Sequence, residues 1–277
     1  VDRLSPTAKE WNAIEALAIE CRQIASEMAR GFAKSAFQGM QKADKTFVTE
    51  ADVAIERALR DRILKVFPDH NVWGEEDGGI PLAGSKGVTW VIDPIDGTYS
   101  FMNRVPFYSS LLAVAFDGVP IIGWACLPEL DWVLHARKGA GASFNGKLLL
   151  SPDHQGSQFS AAASDILAIA DPYRFRSVGA GAIVDRLLAE PYHTRVYPDA
   201  LGYMLLLTGA VTGFVDPRTQ VWDVAPFHVI LPECGFVIEK WEGGVSLSAG
   251  GVYSYPKGCR DERIAALLQQ ASLALDP

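Results

Sequence analysis

Cysteine is scarce and scattered. The four residues, Cys21, Cys126, Cys234 and Cys259, form no Cys-x-x-Cys pair and no Cys/His cluster. That spacing excludes a zinc site of the finger type and predicts free, mostly buried thiols in a reducing cytoplasm. Long apolar runs are also missing. The longest candidate, Leu111 to Pro128, is broken by Asp117, Gly118 and Pro120, so no segment is expected to span a bilayer. Val1 to Ala18 carries Asp2, Arg3, Lys9, Glu10 and Glu15 and lacks the apolar core of a signal peptide. Positive charge is in deficit: 25 Lys and Arg stand against 33 Asp and Glu, a formal net charge of −8. Such a surface repels nucleic acid and anionic membranes, and neither is an expected partner. The five histidines (His70, His135, His154, His193 and His228) make no ligand motif. The nearest approach to a glycine-rich phosphate loop, Gly179-Ala180-Gly181, lacks the strand–helix context and the third glycine of a nucleotide fingerprint. No internal repeat or low-complexity linker divides the chain.

What is there is an ordinary globular balance, 49% hydrophobic and 21% charged. Pro6 to about Phe37 reads as helix, with Ile14, Leu17, Ala18, Cys21, Ile24, Ala25 and Met28 at helical spacing. After the polar stretch Gln38 to Lys45, Thr49 reads as the N-cap of a second helix, with Asp52 at its third position in a capping-box pattern. The apolar stripe of that helix is Val53, Ile55, Leu59, Ile63, Val66 and Phe67, and Pro68 ends it. Short strands follow at Val72-Trp73 and Val88 to Ile92. A meander then runs through Ser109 to Phe116, Pro120 to Leu127, Trp132 to Ala136 and Ala142 to Phe144. Asp117-Gly118, Pro128-Glu129 and Asn145-Gly146 punctuate it as turns.

Beyond Ser151 strands and helices alternate. Strands are predicted at Phe159 to Ala163, His193 to Tyr197, Val211 to Val215 and Gly235 to Ile238. Helices are predicted at Tyr173 to Leu188, Leu201 to Leu207, Trp222 to Glu233 and Asp261 to Leu273. The pattern implies layered sheets covered by helices, in two closely packed halves that divide near Ser151.

The sharpest feature is Asp93-Pro94-Ile95-Asp96-Gly97-Thr98, directly after the apolar Trp90-Val91-Ile92. Pro94 fixes φ and removes an amide donor, so the chain is expected to leave the strand in a tight turn. Gly97 permits unusual backbone angles and close approach by a ligand. Two carboxylates held this close repel unless a hard cation lies between them, and Mg²⁺ prefers such oxygen ligands. Glu75, in Gly74-Glu75-Glu76, also sits at a strand end. Taken alone it reads equally as an acidic loop. Asp223, in Trp222-Asp223, reads either as a helix N-cap or as a carboxylate reaching the same site from the second half.

Together these segments, from Thr49-Glu50-Ala51-Asp52 to Gly243-Gly244, closely resemble the signatures of the inositol monophosphatase family, in order and at family-like spacing. The resemblance implies an α+β fold, a five-layered αβαβα sandwich. It also implies a Mg²⁺-dependent, often Li⁺-sensitive phosphomonoesterase with two to three metal ions, and a homodimer. Residues 1–150 would form an α+β half with most metal ligands. Residues 151–277 would form an α/β half supplying Asp223 and the substrate contacts. Glu75, Asp93 and the Ile95 carbonyl would hold one ion, and Asp93, Asp96 and Asp223 a second. A third, weaker ion would lie near Glu75. Asp52 and Thr98 would orient or deprotonate the attacking water, and the amides of Gly97 and Thr98 would cradle the phosphate.

For the alcohol, Asp216 matches the position of an acid that grips sugar hydroxyls, although Asp216-Pro217 also reads as a turn. Ser100-Phe101 after the motif threonine, and Asp199 followed four residues later by Tyr203, look more like the histidinol-phosphatase branch. There Asp199 would meet an ammonium-bearing alcohol, or would simply cap the helix at Leu201. Histidinol phosphate is the expected substrate, with inositol 1-phosphate close beside it. Fructose 1,6-bisphosphate and phosphoadenosine nucleotides are alternatives within the same family, and a non-catalytic metal- or metabolite-binding regulator is the alternative outside enzymology.

Overall fold

The computed structural model describes residues 5–35, 39–41, 47–149 and 165–275. The first helix, α1 (Ala8–Ala33), starts on a capping box between Thr7 and Glu10. It stops short of the predicted Phe37, which lies outside the described residues. Within the polar stretch after it, β1 (Gly39–Gln41) pairs antiparallel with β2 (Phe47–Thr49). Then α2 (Glu50–Val66) begins on the expected Thr49–Asp52 capping box. Its buried face is Ala51, Asp52, Ile55, Glu56, Leu59 and Ile63, a rotation from the predicted stripe that leaves Val66 40% exposed. Two acids on the buried face replace the expected valines, because the helix covers the functional site as well as the core.

Seven strands form the first sheet in sequence order: β3 (Asn71–Gly74), β4 (Val88–Asp96), β5 (Ser109–Phe116), β6 (Val119–Leu127), β7 (Trp132–Arg137), β8 (Gly141–Phe144) and β9 (Lys147–Leu149). β3 runs parallel to β4 and every other pair is antiparallel. The predicted meander is present, with β9 added. The strand expected to end at Ile92 continues to Asp96, because β4 bulges. Asp93 pairs with Leu111 and Asp96 with Ser109, so an extra residue is accommodated where Pro94 has no amide to give to the ladder. A short helix, α3 (Thr98–Met102), follows directly.

The second sheet has the order β11-β10-β12-β14-β13. It comprises β10 (Ile166–Ile169), β11 (His193–Val196), β12 (Gly213–Thr219), β13 (Phe236–Lys240) and β14 (Gly250–Pro256). The strand expected at Phe159 to Ala163 lies outside the described residues. The interior strand β14 is not among the predicted strands, because its glycines and Pro256 resemble loop punctuation. Both long predicted helices are divided. The first becomes α4 (Pro172–Ser177) and α5 (Gly181–Leu188), separated at Gly179 (φ 80°). The Trp222–Glu233 prediction becomes α7 (Val221–Val224) and α8 (Phe227–Glu233), separated by Pro226, which cannot donate within a continuous helix. α6 (Ala200–Leu207) and α9 (Glu262–Leu275) complete the chain.

Strand alternation builds five layers from these parts. On β5, Leu112 packs with Ile14 of α1 and Ile55 of α2, while its neighbour Leu111 packs on the other side with Met204 of α6 and Ile230 of α8. The second sheet repeats the rule. Ala168, Phe214 and Val252 face α6 and α8, while Leu167, Val215 and Tyr253 face α4, α5 and α9 through Phe175, Ile183 and Leu268. The layers are therefore α1–α2, first sheet, α6–α8, second sheet, and α4–α5–α9, an αβαβα sandwich. The corner between α7 and α8 rests on β6 at Gly123, where any Cβ would collide with the Pro226 backbone. No described helix is long and apolar enough to cross a membrane.

Candidate metal centre and active site

Parallel pairing brings strand ends of like direction together. Gly74 of β3 lies opposite Ile92 of β4, and the Glu75 amide donates to the Ile92 carbonyl at 3.2 Å. Glu75 and Asp93 consequently leave the same sheet end side by side. Buried Glu56 shapes the loop that carries Glu75. It accepts from the Glu76 amide at 2.8 Å and the Asp77 amide at 3.0 Å, and pairs with Arg60 at 2.9 Å. The approach is so close that a Cβ on Gly74 would collide with the Glu56 carboxylate.

Beyond the β4 bulge, Asp96 Oδ2 accepts from the Ser109 hydroxyl at 2.7 Å and from the Ala200 amide at 2.8 Å. The second bond ties the start of α6 to the Asp93–Thr98 run. Gly97 turns the chain at φ 82°, and the Thr98 hydroxyl donates to the Ile95 carbonyl at 3.1 Å. Asp223 is not the N-cap of its helix. Gln220 caps α7, and Asp223, at the third position, accepts from the Gln220 amide at 2.7 Å. Trp73 and Trp222 meet edge to face at 5.6 Å, fixing the β3 loop against α7.

These elements bring Asp93, Asp96 and Asp223 together, each offering a carboxylate oxygen within 4.8 Å of the others. Asp93 is 2% exposed, and its Oδ1 accepts no hydrogen bond from the protein. Asp52, on the buried face of α2, accepts through Oδ2 from the Thr49 amide and hydroxyl, while its buried Oδ1 has no protein partner. Burial first, then neighbouring carboxylates, pushes every one of these acids up. Asp52 rises to about 6 and Asp223 to about 7. Asp93 rises well above the carboxylate range through burial, Glu75 and Asp96, and Asp96 through burial and Asp199. A cluster with orphaned carboxylate oxygens and mutual repulsion is the arrangement that a hard, oxygen-seeking cation resolves.

The two substrate candidates from the second half also meet, through a residue that no sequence signal marks. Arg174 of α4 donates through Nη2 to Asp199 at 2.7 Å and through Nη1 to Asp216 at 2.9 Å. Asp199 stands at the N-cap position of α6 but makes no capping bond. Glu56, Ser109 and Arg174 are the site residues that sequence reasoning missed. Only Glu56 left a signal, since it shares the helical face of Asp52, Ile55, Leu59 and Ile63.

The model of the inositol monophosphatase family matches residues 10–273. The chain is 33% identical over 233 residues to a histidinol-phosphatase of Mycobacterium tuberculosis, covering 82% of this chain and 86% of that protein. It is 31% identical over 213 residues to the Nus factor SuhB of Escherichia coli, covering 76% and 77%. A solved structure of an IMPase from Thermotoga maritima has the same fold, with a TM-score of 0.81 at 22% identity over 95% of this chain and 99% of that one.

Proposed function

The chain belongs to the inositol monophosphatase family, and from that premise we propose that it is a Mg²⁺-dependent phosphomonoesterase of a small phosphorylated alcohol, histidinol phosphate or myo-inositol 1-phosphate. The observation that carries this reading is the convergence of Asp93, Asp96 and Asp223 within 4.8 Å, with Asp93 Oδ1 buried and unpartnered. Glu75, Asp93 and the Ile95 carbonyl would hold one ion, and Asp93, Asp96 and Asp223 another. When bound, magnesium would neutralise the charge of the phosphate and lower the pKa of water.

The remaining work belongs to the protein. Thr49 holds Asp52 by one oxygen, leaving Oδ1 as the atom to accept a proton from the attacking water. The Ile95 carbonyl fixes the Thr98 hydroxyl, which orients that water. The Gly97 and Thr98 amides open α3, where the first helical donors have no partner within the helix, and they would cradle the phosphoryl oxygens. Residues 1–150 thus supply most ligands, while residues 151–277 supply Asp223 and the surroundings of the alcohol, Asp199 and Asp216. The histidinol-phosphatase relative at 33% identity supports the ammonium-bearing substrate, and the family itself supports the polyol.

The test is phosphate release from histidinol phosphate, myo-inositol 1-phosphate, fructose 1,6-bisphosphate and phosphoadenosine phosphate, with Mg²⁺ and with chelator. Mg²⁺-dependent release that Asp93→Asn abolishes is the expected result. A folded protein that hydrolyses none of the four would sink the reading.

A further inference from the structure

In a phosphatase of the kind proposed above, the premise on which the inference rests, the Asp199–Arg174–Asp216 bridge bears on which alcohol the site takes. The bridge stands beside the metal motif. The Ala200 amide binds Asp96, and a Cβ on Gly97 would lie 2.9 Å from Asp199 Oδ2. An alcohol leaving a phosphate held at Gly97 and Thr98 therefore emerges against this trio. Asp199 is held there at φ 60°, ψ −153°, a backbone region that favours glycine. Its neighbours fix it in place.

A visitor to this subsite does not meet the carboxylates. The side chains of Asp199 and Asp216 are 7% and 2% exposed, whereas that of Arg174, which binds both, is 32% exposed. Asp216 is further engaged by the Arg218 amide at 3.0 Å. Two of the five guanidinium N–H groups serve the acids, which leaves donors for an incoming group. Ammonium has no acceptor with which to use them. The hydroxyl oxygens of a polyol can accept from those donors.

We infer that Arg174 sets the leaving-group specificity of the site, covering an acid pair that would otherwise hold an ammonium and selecting neutral polyol phosphates over amino-alcohol phosphates.

The experiment compares kcat/KM for myo-inositol 1-phosphate and histidinol phosphate at saturating Mg²⁺, with phenyl phosphate turnover reporting the metal centre. The intact protein is expected to prefer the polyol ester at least tenfold. Arg174→Gln, which uncovers both carboxylates, is expected to move the ratio at least tenfold towards histidinol phosphate. Arg174→Lys, which keeps the charge, should retain the preference for the polyol. An intact protein that favours histidinol phosphate, or an unchanged ratio in Arg174→Gln, overturns the inference. Hydrolysis of none of the esters, phenyl phosphate included, would defeat the phosphatase reading instead. Calorimetric binding of myo-inositol against histidinol, each with inorganic phosphate, decides the role of Arg174 without turnover. A preference for myo-inositol in the intact protein supports it, and equal or opposite binding overturns it. Should Arg174→Gln not fold, the preferences of the intact protein and of Arg174→Lys still settle the matter.

Discussion

Replacing Asp93 by Asn separates a metal site from a merely acidic pocket, because the two readings predict opposite effects on stability. Asp93 lies within 4.8 Å of Asp96 and Asp223 through its nearest oxygens and also feels Glu75 and Asp52. At an effective dielectric constant of about 20, each fully ionised pair at that separation repels by about 3 kcal/mol. The metal-free protein escapes part of this by holding protons, so the gain from removing one charge at pH 8 should be about 2–3 kcal/mol rather than the sum over neighbours. The Asn amide can in addition donate to a remaining carboxylate. For a chain of this size that amounts to a rise in Tm of about 3–6 °C in the presence of chelator. Adding Mg²⁺ should narrow or close that gap. The parent protein gains about 1–3 kcal/mol at 10–100 times the dissociation constant, the variant gains little, and its phosphate release falls by orders of magnitude. Thermal unfolding with and without Mg²⁺, run beside a phosphate assay, reads both effects. A variant less stable than its parent in chelator, together with a parent whose Tm ignores Mg²⁺, would refute the reasoning and make these acids structural.

Other consequences are open to the same instruments. Asp52 and Asp223 stand at about 6 and about 7 in the folded chain, above their unfolded value of 3.8. The metal-free native state therefore binds more protons than the unfolded state across that window, and its stability should fall as pH rises from about 4 to about 7; chemical denaturation with chelator should show that fall, and Mg²⁺ should flatten it. Thr98→Ala should leave Mg²⁺ affinity within a few-fold while lowering kcat by about a hundredfold or more, the range of a lost proton-transfer or orienting group; a lowered affinity with normal kcat would move Thr98 to a structural role. Glu56→Ala, which releases the amides of Glu76 and Asp77, should weaken Mg²⁺ binding and cost about 3 kcal/mol by leaving Arg60 without its buried partner; titration calorimetry and urea unfolding measure the two. Gly123→Ala should push the α7–α8 corner off β6, destabilise by about 1–3 kcal/mol and lower Mg²⁺ affinity through Asp223, although residue 123 touches no ligand; an unaffected affinity would show that α7 is positioned independently of the sheet.

The capping box at Thr49 and Asp52, the meander from Ser109 to Phe144 and the Asp93–Thr98 run were all legible in the chain, because each rests on interactions among residues close in sequence. A strand feels its alternation, a helix its cap, and a turn its proline or glycine. The family emerged from the same local signatures, since Glu75, the Asp93–Thr98 run and Asp223 are recognisable by order and spacing alone. Local signals mislead where they compete. Glycines around β14 look like loop although cross-strand pairing on both sides holds that strand, and Pro94 looks like a strand end although the ladder absorbs it as a bulge.

Only tertiary structure decided what the second half contributes to the site. Asp223 could have been a cap, and became a metal-site candidate because α7 docks on the first sheet. Asp199 could have been a cap or an open acid, and is neither, because Arg174 reaches it from α4, 25 residues earlier. No periodicity or spacing encodes that meeting. It depends on two elements of the second half closing over a motif from the first, and the charge that a substrate encounters there is set by which side chain lies outermost once the layers have packed.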